Sequence, residues 1–500
     1  MSESSAIVRN ARAPARRAEE GVVLVLALFV IMILLVIVPQ FRFSASLDRE
    51  LARNDVQDVQ MESLARAAIL RAEAALLVDL EDDLSKSDAA GADDGSEFGG
   101  DGALGGGGAG GATGSSDGAS GSGGSGKSGT HVDSLDEVWA NHQLSLSLGE
   151  DSGFKTRIVV SDEDAKLNLL LLFAADQEYR TEWRDRFERM IDLMRDGEPE
   201  DLSRGEADDL LRRIEKWVEG DRPGDELATA PLASGDWHET LDRRVLAPLS
   251  LAELCLSGGI KPTLLHGFDV GESDDRHRVL GLEQGLTVWS NLEYKDPGAE
   301  ETAASNATVP AAGTNTSQEA PAMNNGRVNV NTAPLCVLKS LFTDNEVPYA
   351  AWDQYDEFRK QRLEEIERER KDLENASDAE KKNKRKTDEA DEPTYPLHTV
   401  DDLRRMDGFS PDSSSVTPEN WTKLSSYISV ESNVFTITVM IGTRGPSRRF
   451  YVARAVVWRR TEGDAPACIP IVPFERIATS AADVADFAKE LDEWSESASH

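Results

Sequence analysis

Between Val22 and Val38 every residue is apolar, and no charge interrupts the run. As a helix rising 1.5 Å per residue it reaches about 26 Å, a little under the roughly 30 Å hydrocarbon core of a bilayer, which predicts a shallow transmembrane anchor. Arg12, Arg16 and Arg17 precede it, and Asp48, Glu50, Asp55 and Asp58 follow it. By the positive-inside rule the N-terminus is then cytoplasmic and the body lies on the far side. Beyond Pro39, small residues recur at Ala65, Ala68, Ala72 and Ala75, and Glu62 stands one turn before Arg66, so the helix is expected to continue to about Asp83. Three processing outcomes fit this segment: signal cleavage near Ser44-Ala45-Ser46, an uncleaved signal anchor, or a leader cut after Gly21 that makes Val22 the new N-terminus. A cleaved signal peptide has no need of the long helical continuation.

Farther on the period changes. Leu144, Leu146 and Leu148 alternate with polar residues, a turn spans Gly149 to Gly153, and Phe154 to Val160 resumes the alternation, which predicts a β-hairpin. Phe435, Ile437, Val439 and Ile441, the turn from Gly442 to Ser447, and the run from Phe450 to Trp458 predict a second. Between them helical spacing dominates, with Tyr179, Trp183, Phe187, Ile191 and Met194 on one face and Leu210, Leu211, Ile214, Trp217 and Val218 on another. In the tail Val484, Phe487, Leu491 and Trp494 predict a short amphipathic helix that packs back. The expected class is α+β: a long N-terminal transmembrane helix packed on a small antiparallel sheet, with a large all-α domain inserted between the hairpins.

Composition narrows the functions. The net charge of −37 repels nucleic acid and anionic membrane surfaces, so bulk electrostatic binding to either is not expected. Gly, Ser, Ala and Asp dominate residues 85–130, where too little apolar surface exists to offset chain entropy. Residues 296–325 and the Lys/Glu-rich 367–391 are also low in complexity. Cys255, Cys336 and Cys468 imply neither a disulfide framework nor a CxxC metal pair. Gly121 to Ser128 matches a phosphate-loop pattern, but it lies in a glycine-serine tract without the strand and helix that chemistry requires. Val328 to Ala333 looks like the opening of helix-hairpin-helix DNA-binding modules. No glycine hairpin follows, so Asn331 or Thr332 is expected simply to cap the next helix, with Pro334 in its first turn. The acidic runs Asp162-Glu163-Asp164 and Glu219 to Glu226 lack EF-hand spacing and are expected to be solvated loop charge. The seven histidines are scattered and Ser257-Gly258-Gly259 is no nucleophile elbow, so no enzyme is expected.

In their order, several of these features resemble one family, the minor pseudopilin K of type II secretion systems. The anchor resembles its prepilin leader and helix; Ser161 to Asn168 resembles the segment leaving its first hairpin; Trp217 to Asp221, with Gly224 and Glu226, resembles its tryptophan and acidic loop. Leu249 to Gly259 and Val400 to Gly408 resemble its glycine-turn units, Val328 to Ala333 its Asn-rich helix start, and Ser425-Ser426-Tyr427 with its hairpin the last β-segment. Two departures stand out: Glu19 and Glu20 occupy a leader that is usually basic, and the Gly/Ser linker is unusually long.

The resemblance implies a leader at 1–21, a transmembrane and pilin-like helix at 22–84, a linker at 85–130, sheet halves at 131–160 and 425–460, an inserted helical domain at 161–424 and an acidic extension at 461–500. It implies cleavage between Gly21 and Val22 by a prepilin peptidase and a calcium site at Asp221, Asp225 and Glu226. Its implied location is the bacterial inner membrane, single-pass, with the body in the periplasm. Implied partners are other minor pseudopilins, the major pseudopilin and the inner-membrane secretion machinery, with no nucleic acid. Counting from Val22, the fifth residue is Leu26, where most pilin-like subunits carry a glutamate that neutralises a neighbour's N-terminal amine in lipid. A subunit lacking that carboxylate is expected at the filament tip, starting its assembly. The rival functions are a pilus-like DNA-uptake or surface-binding protein and an unprocessed periplasmic scaffold.

Overall fold

The structure, a computed structural model, describes residues 15–92, 132–140, 144, 153–173, 177–218, 250–257, 260–271, 277–289, 326–375, 395–410, 416–443, 449–462, 465–477, 486–491 and 494. One helix, α1 (Ala15–Ala92), contains Pro39 and ends nine residues beyond the expected Asp83. The chain divides within it into two units, Met1–Ser63 and Leu64–His500. In the first, the large apolar side chains from Leu24 to Val38 stand 39–70% exposed. In the second, Ala65, Ala68, Ala72 and Leu76 are fully buried at helical spacing. Alanine there lets the helix backbone come close to the sheet: the sulfur of Cys468 lies 4.0 Å from the Glu73 carbonyl, and Arg66 stacks over Phe474.

The protein is α+β. Strand β1 (Phe154–Asp162) buries alternate residues, as its pattern predicts. Its partner is not the 144–148 segment: Leu144 is buried outside any strand, and residues 145–152 lie outside the described ones. The partner comes nearly three hundred residues later. After β1 the chain runs through a large insert: β2 (Leu167–Asn168), α2 (Gln177–Met194), α3 (Arg204–Val218), α4 (Pro262–His266), β3 (Phe268–Val270), β4 (His277–Val279), α5 (Leu282–Gly285), β5 (Leu286–Thr287), β6 (Val328–Asn329), α6 (Leu335–Ser340), α7 (Tyr349–Asn375) and α8 (Pro418–Tyr427). It returns through β7 (Ile428–Ser429) to β8 (Val434–Thr443), β9 (Phe450–Glu462) and β10 (Ala465–Arg476).

The main sheet has the order β1-β8-β9-β10, all antiparallel, with Ile158 opposite Val439. Alternation marks which face of β1 is inward but cannot name a ladder partner so distant in sequence. Three small ladders, β2·β5, β3·β4 and β6·β7, stitch the helical insert. Its core gathers Trp183, Phe187 and Ile191 of α2 with Leu210, Leu211 and Ile214 of α3 around Val330, Leu338 and Trp352.

Two boundaries differ from expectation. The sheet does not stop at 460: β10 takes up what looked like an acidic extension. Pro466, Pro470 and Pro473 argue against a strand in sequence, but β10 is an edge, where proline is tolerated, and its register shifts twice. Ser425-Ser426-Tyr427 is the last turn of α8 rather than β-structure; Thr417 caps that helix by accepting the Asn420 N–H, and the strand begins only at Ile428.

Residues 486–491 form a helical turn that buries Phe487 and Leu491 on Met440 and Val452, on the outer face of the sheet. Gly442 makes room for it, since a Cβ there would collide with Leu491. Lys155 and Arg157 pair with Glu490 alongside.

Candidate functional site

Two regions carry candidate chemistry, the anchor and a buried polar junction. In the anchor Gly21 and Val22 both lie within α1, and Leu26 is 64% exposed among equally exposed apolar neighbours. Among the described residues this is the one helix long and apolar enough to cross a membrane. Asp221, Asp225 and Glu226 lie outside the described residues.

The junction forms where β1 leaves the sheet for the insert. Asp162, Glu163 and Asp164, expected as solvated charge, are all buried. Asp162 stands at the inward-facing parity of β1, after Thr156, Ile158 and Val160, so the strand carries it inside. Its carboxylate accepts the hydroxyls of Ser432 at 2.5 Å and Thr332 at 2.5 Å, the Asn329 amide and the Asp164 N–H. Asp164 accepts the N–H groups of Asn433 at 2.6 Å and Val434 at 3.2 Å. Glu163 takes Lys166 Nζ at 2.7 Å and the Thr287 hydroxyl. These donors engage every carboxyl oxygen of the three except Asp164 Oδ1, which makes the cluster a structural joint. Burial pushes Asp162 above the ordinary carboxylate range against the pull of its two hydroxyls. Asp164 is raised by burial and then by the charge of Asp162.

Asn331 and Thr332 do not cap α6. Its N-cap is Pro334, which offers no side-chain bond. Thr332 is spent on Asp162, while the Asn331 amide pairs with Leu397 in both directions, giving Nδ2–H to its carbonyl at 3.0 Å and accepting its N–H at 3.1 Å. Two buried polar side chains are thereby satisfied by the fold at large, a stronger claim on them than a solvent-near helix end.

The other half of the junction centres on Arg459 of β9, 1% exposed. Its guanidinium pairs with Asp79 of α1 at 2.9 Å and with Asp133, donates to the Ser432 carbonyl at 3.0 Å and stacks over Phe435. Asp133 also accepts the Ser432 N–H at 2.7 Å, and Asn329 donates to the Asp133 carbonyl. One arginine thus ties α1, the 132–140 segment and the strand entry into a single network. Sequence reasoning missed it, although the signal existed: Arg459 continues the inward series Ala453, Ala455, Val457, and a charge at core parity requires acidic partners. Beside the junction a cleft of about 830 Å3 is lined by Trp139, Arg157, Lys166, Trp289 and Arg454. Cys336 is buried and Cys255 and Cys468 are half-buried, and none of the three is bridged.

These features define an α+β protein with one helix able to span a membrane. No protein-family model and no curated protein matches the chain. Among solved structures, the GspK-GspI-GspJ complex of the enterotoxigenic Escherichia coli type 2 secretion system is matched at 12% identity, over 70% of this chain and 88% of that one, with a TM-score of 0.37.

Proposed function

We propose that the protein is a minor pseudopilin of a type II secretion system, processed after Gly21 and placed at the pseudopilus tip to initiate assembly. The observation that supports this most is the two-part character of α1: an exposed apolar stretch from Leu24 to Val38, then a buried alanine face from Ala65 that packs with an antiparallel sheet. A subunit that must lie in a bilayer before joining a filament needs both. Leu26 in place of a carboxylate supports the tip position, because nothing at that residue neutralises an amine presented by a subunit above it. Partners on this reading are other minor pseudopilins, the major pseudopilin, the prepilin peptidase and the inner-membrane machinery, with the body periplasmic and no catalytic role. Calcium at Asp221, Asp225 and Glu226 belongs to the same reading. DNA uptake is the weaker alternative, since the net charge of −37 opposes it.

The test is the mature N-terminus, read by mass spectrometry of membrane-extracted protein with and without the prepilin peptidase. A peptidase-dependent start at Val22 is expected, and Leu26→Glu should leave processing intact but impair secretion. A start near residue 47, or an intact Met1 in the presence of the peptidase, would sink the proposal.

A further inference from the structure

Asp79, Asp133 and Glu137 bring a carboxyl oxygen each within 4.8 Å of one another, and a single guanidinium, Arg459, faces all three. Arg459 gives one Nη to Asp79 and the other to Asp133, while Glu137 accepts the Trp139 indole N–H and the Ser134 hydroxyl at 3.3 Å. Three carboxylates against one cation would leave net negative charge in a site whose arginine is 1% exposed, and protonation relieves it. We propose that Asp79 and Glu137 are both protonated at low pH and form a pH-sensitive clasp that fastens residues 132–140 to α1.

The charged and titratable neighbours in the balance are Asp83 on α1, Asp133 and Asp136 on the clasped segment, Arg459 on β9, Arg370 on α7, which donates to the Asp136 carbonyl at 2.8 Å, and Tyr395, whose hydroxyl accepts the Leu135 N–H. Cys468 on β10 faces Arg459 and Glu73. Arg459 is the cation that pairs with the carboxylates and favours their ionised form. Burial outweighs it, raising Asp79 to about 6; burial, Asp133 and Asp79 together push Glu137 up to about 10. Both folded values lie above the unfolded ones, so the folded state holds protons more tightly. Stability is greatest below the ordinary carboxylate range and is lost as pH rises, first through about 6 and then toward about 10. The clasp stands whether or not the chain is processed after Gly21.

The test uses the full chain in detergent micelles, with thermal midpoints and amide exchange of residues 132–140, corrected for intrinsic exchange rate, at pH 5 and pH 9. The wild type should lose midpoint and protection between the two. Glu137→Gln, a permanently neutral donor, should match the wild type at pH 5 and keep its protection at pH 9. Asp79→Asn supplies a neutral partner from the other side. Identical pH profiles for wild type and Glu137→Gln would overturn the proposal, as would failure of both variants to fold at pH 5, where the native pair is already neutral.

Discussion

Residues 24–38 and 65–80 belong to one helix and obey different rules. In the first stretch apolar side chains face outward all round; in the second only one face is buried, and half of it is alanine. On the proposed reading the difference is one of solvent. Lipid rewards apolar surface in every direction, whereas a sheet rewards close approach along a single stripe.

The sharpest way to break the contrast is at the buried charge that Asp79 of the packed stretch engages. Arg459→Met leaves Asp133 buried without its cation and strips Asp79 of its partner; near neutral pH it should lower unfolding free energy by about 3–5 kcal/mol, seen as a shifted urea midpoint. A midpoint within error of wild type would show that the junction is not a structural lock. Next, Ala72→Leu should overpack the helix–sheet contact and lower stability by about 1–3 kcal/mol. Leu28→Ala in the exposed stretch should leave the same urea midpoint unmoved, and equal effects from the two substitutions would erase the distinction. The smallest destabilisation belongs to Gly442→Val, which collides with Leu491. It should free residues 486–491 to exchange hydrogen while the midpoint changes by about 1 kcal/mol or less, because the region opens locally.

What the sequence disclosed divides along the same line as its errors. Local periodicity found α1, the inward face of β1, the β8 and β9 strands and the helical insert, since each is set by neighbours a few residues away. It did not find that β1 pairs with β8, that β10 is a proline-bearing edge strand, or that Asn331 and Thr332 serve Leu397 and Asp162. The first and last of those choices are made by contacts between residues more than sixty positions apart, whereas β10 pairs with its neighbour β9 and was masked by its prolines. The anchor residues Gly21, Val22 and Leu26 could be named from order along the chain. The junction around Arg459 could not, because its members lie on separate segments from α1 to β9, and only the parity of Arg459 and Asp162 betrayed it.

Three prolines without N–H groups and two register slips leave the outer margin of β10 a poor template for any incoming strand. On that side the sheet works as a terminus: growth by adding β-ladders is disfavoured, which leaves side chains and helices as the better means of joining this molecule to others there.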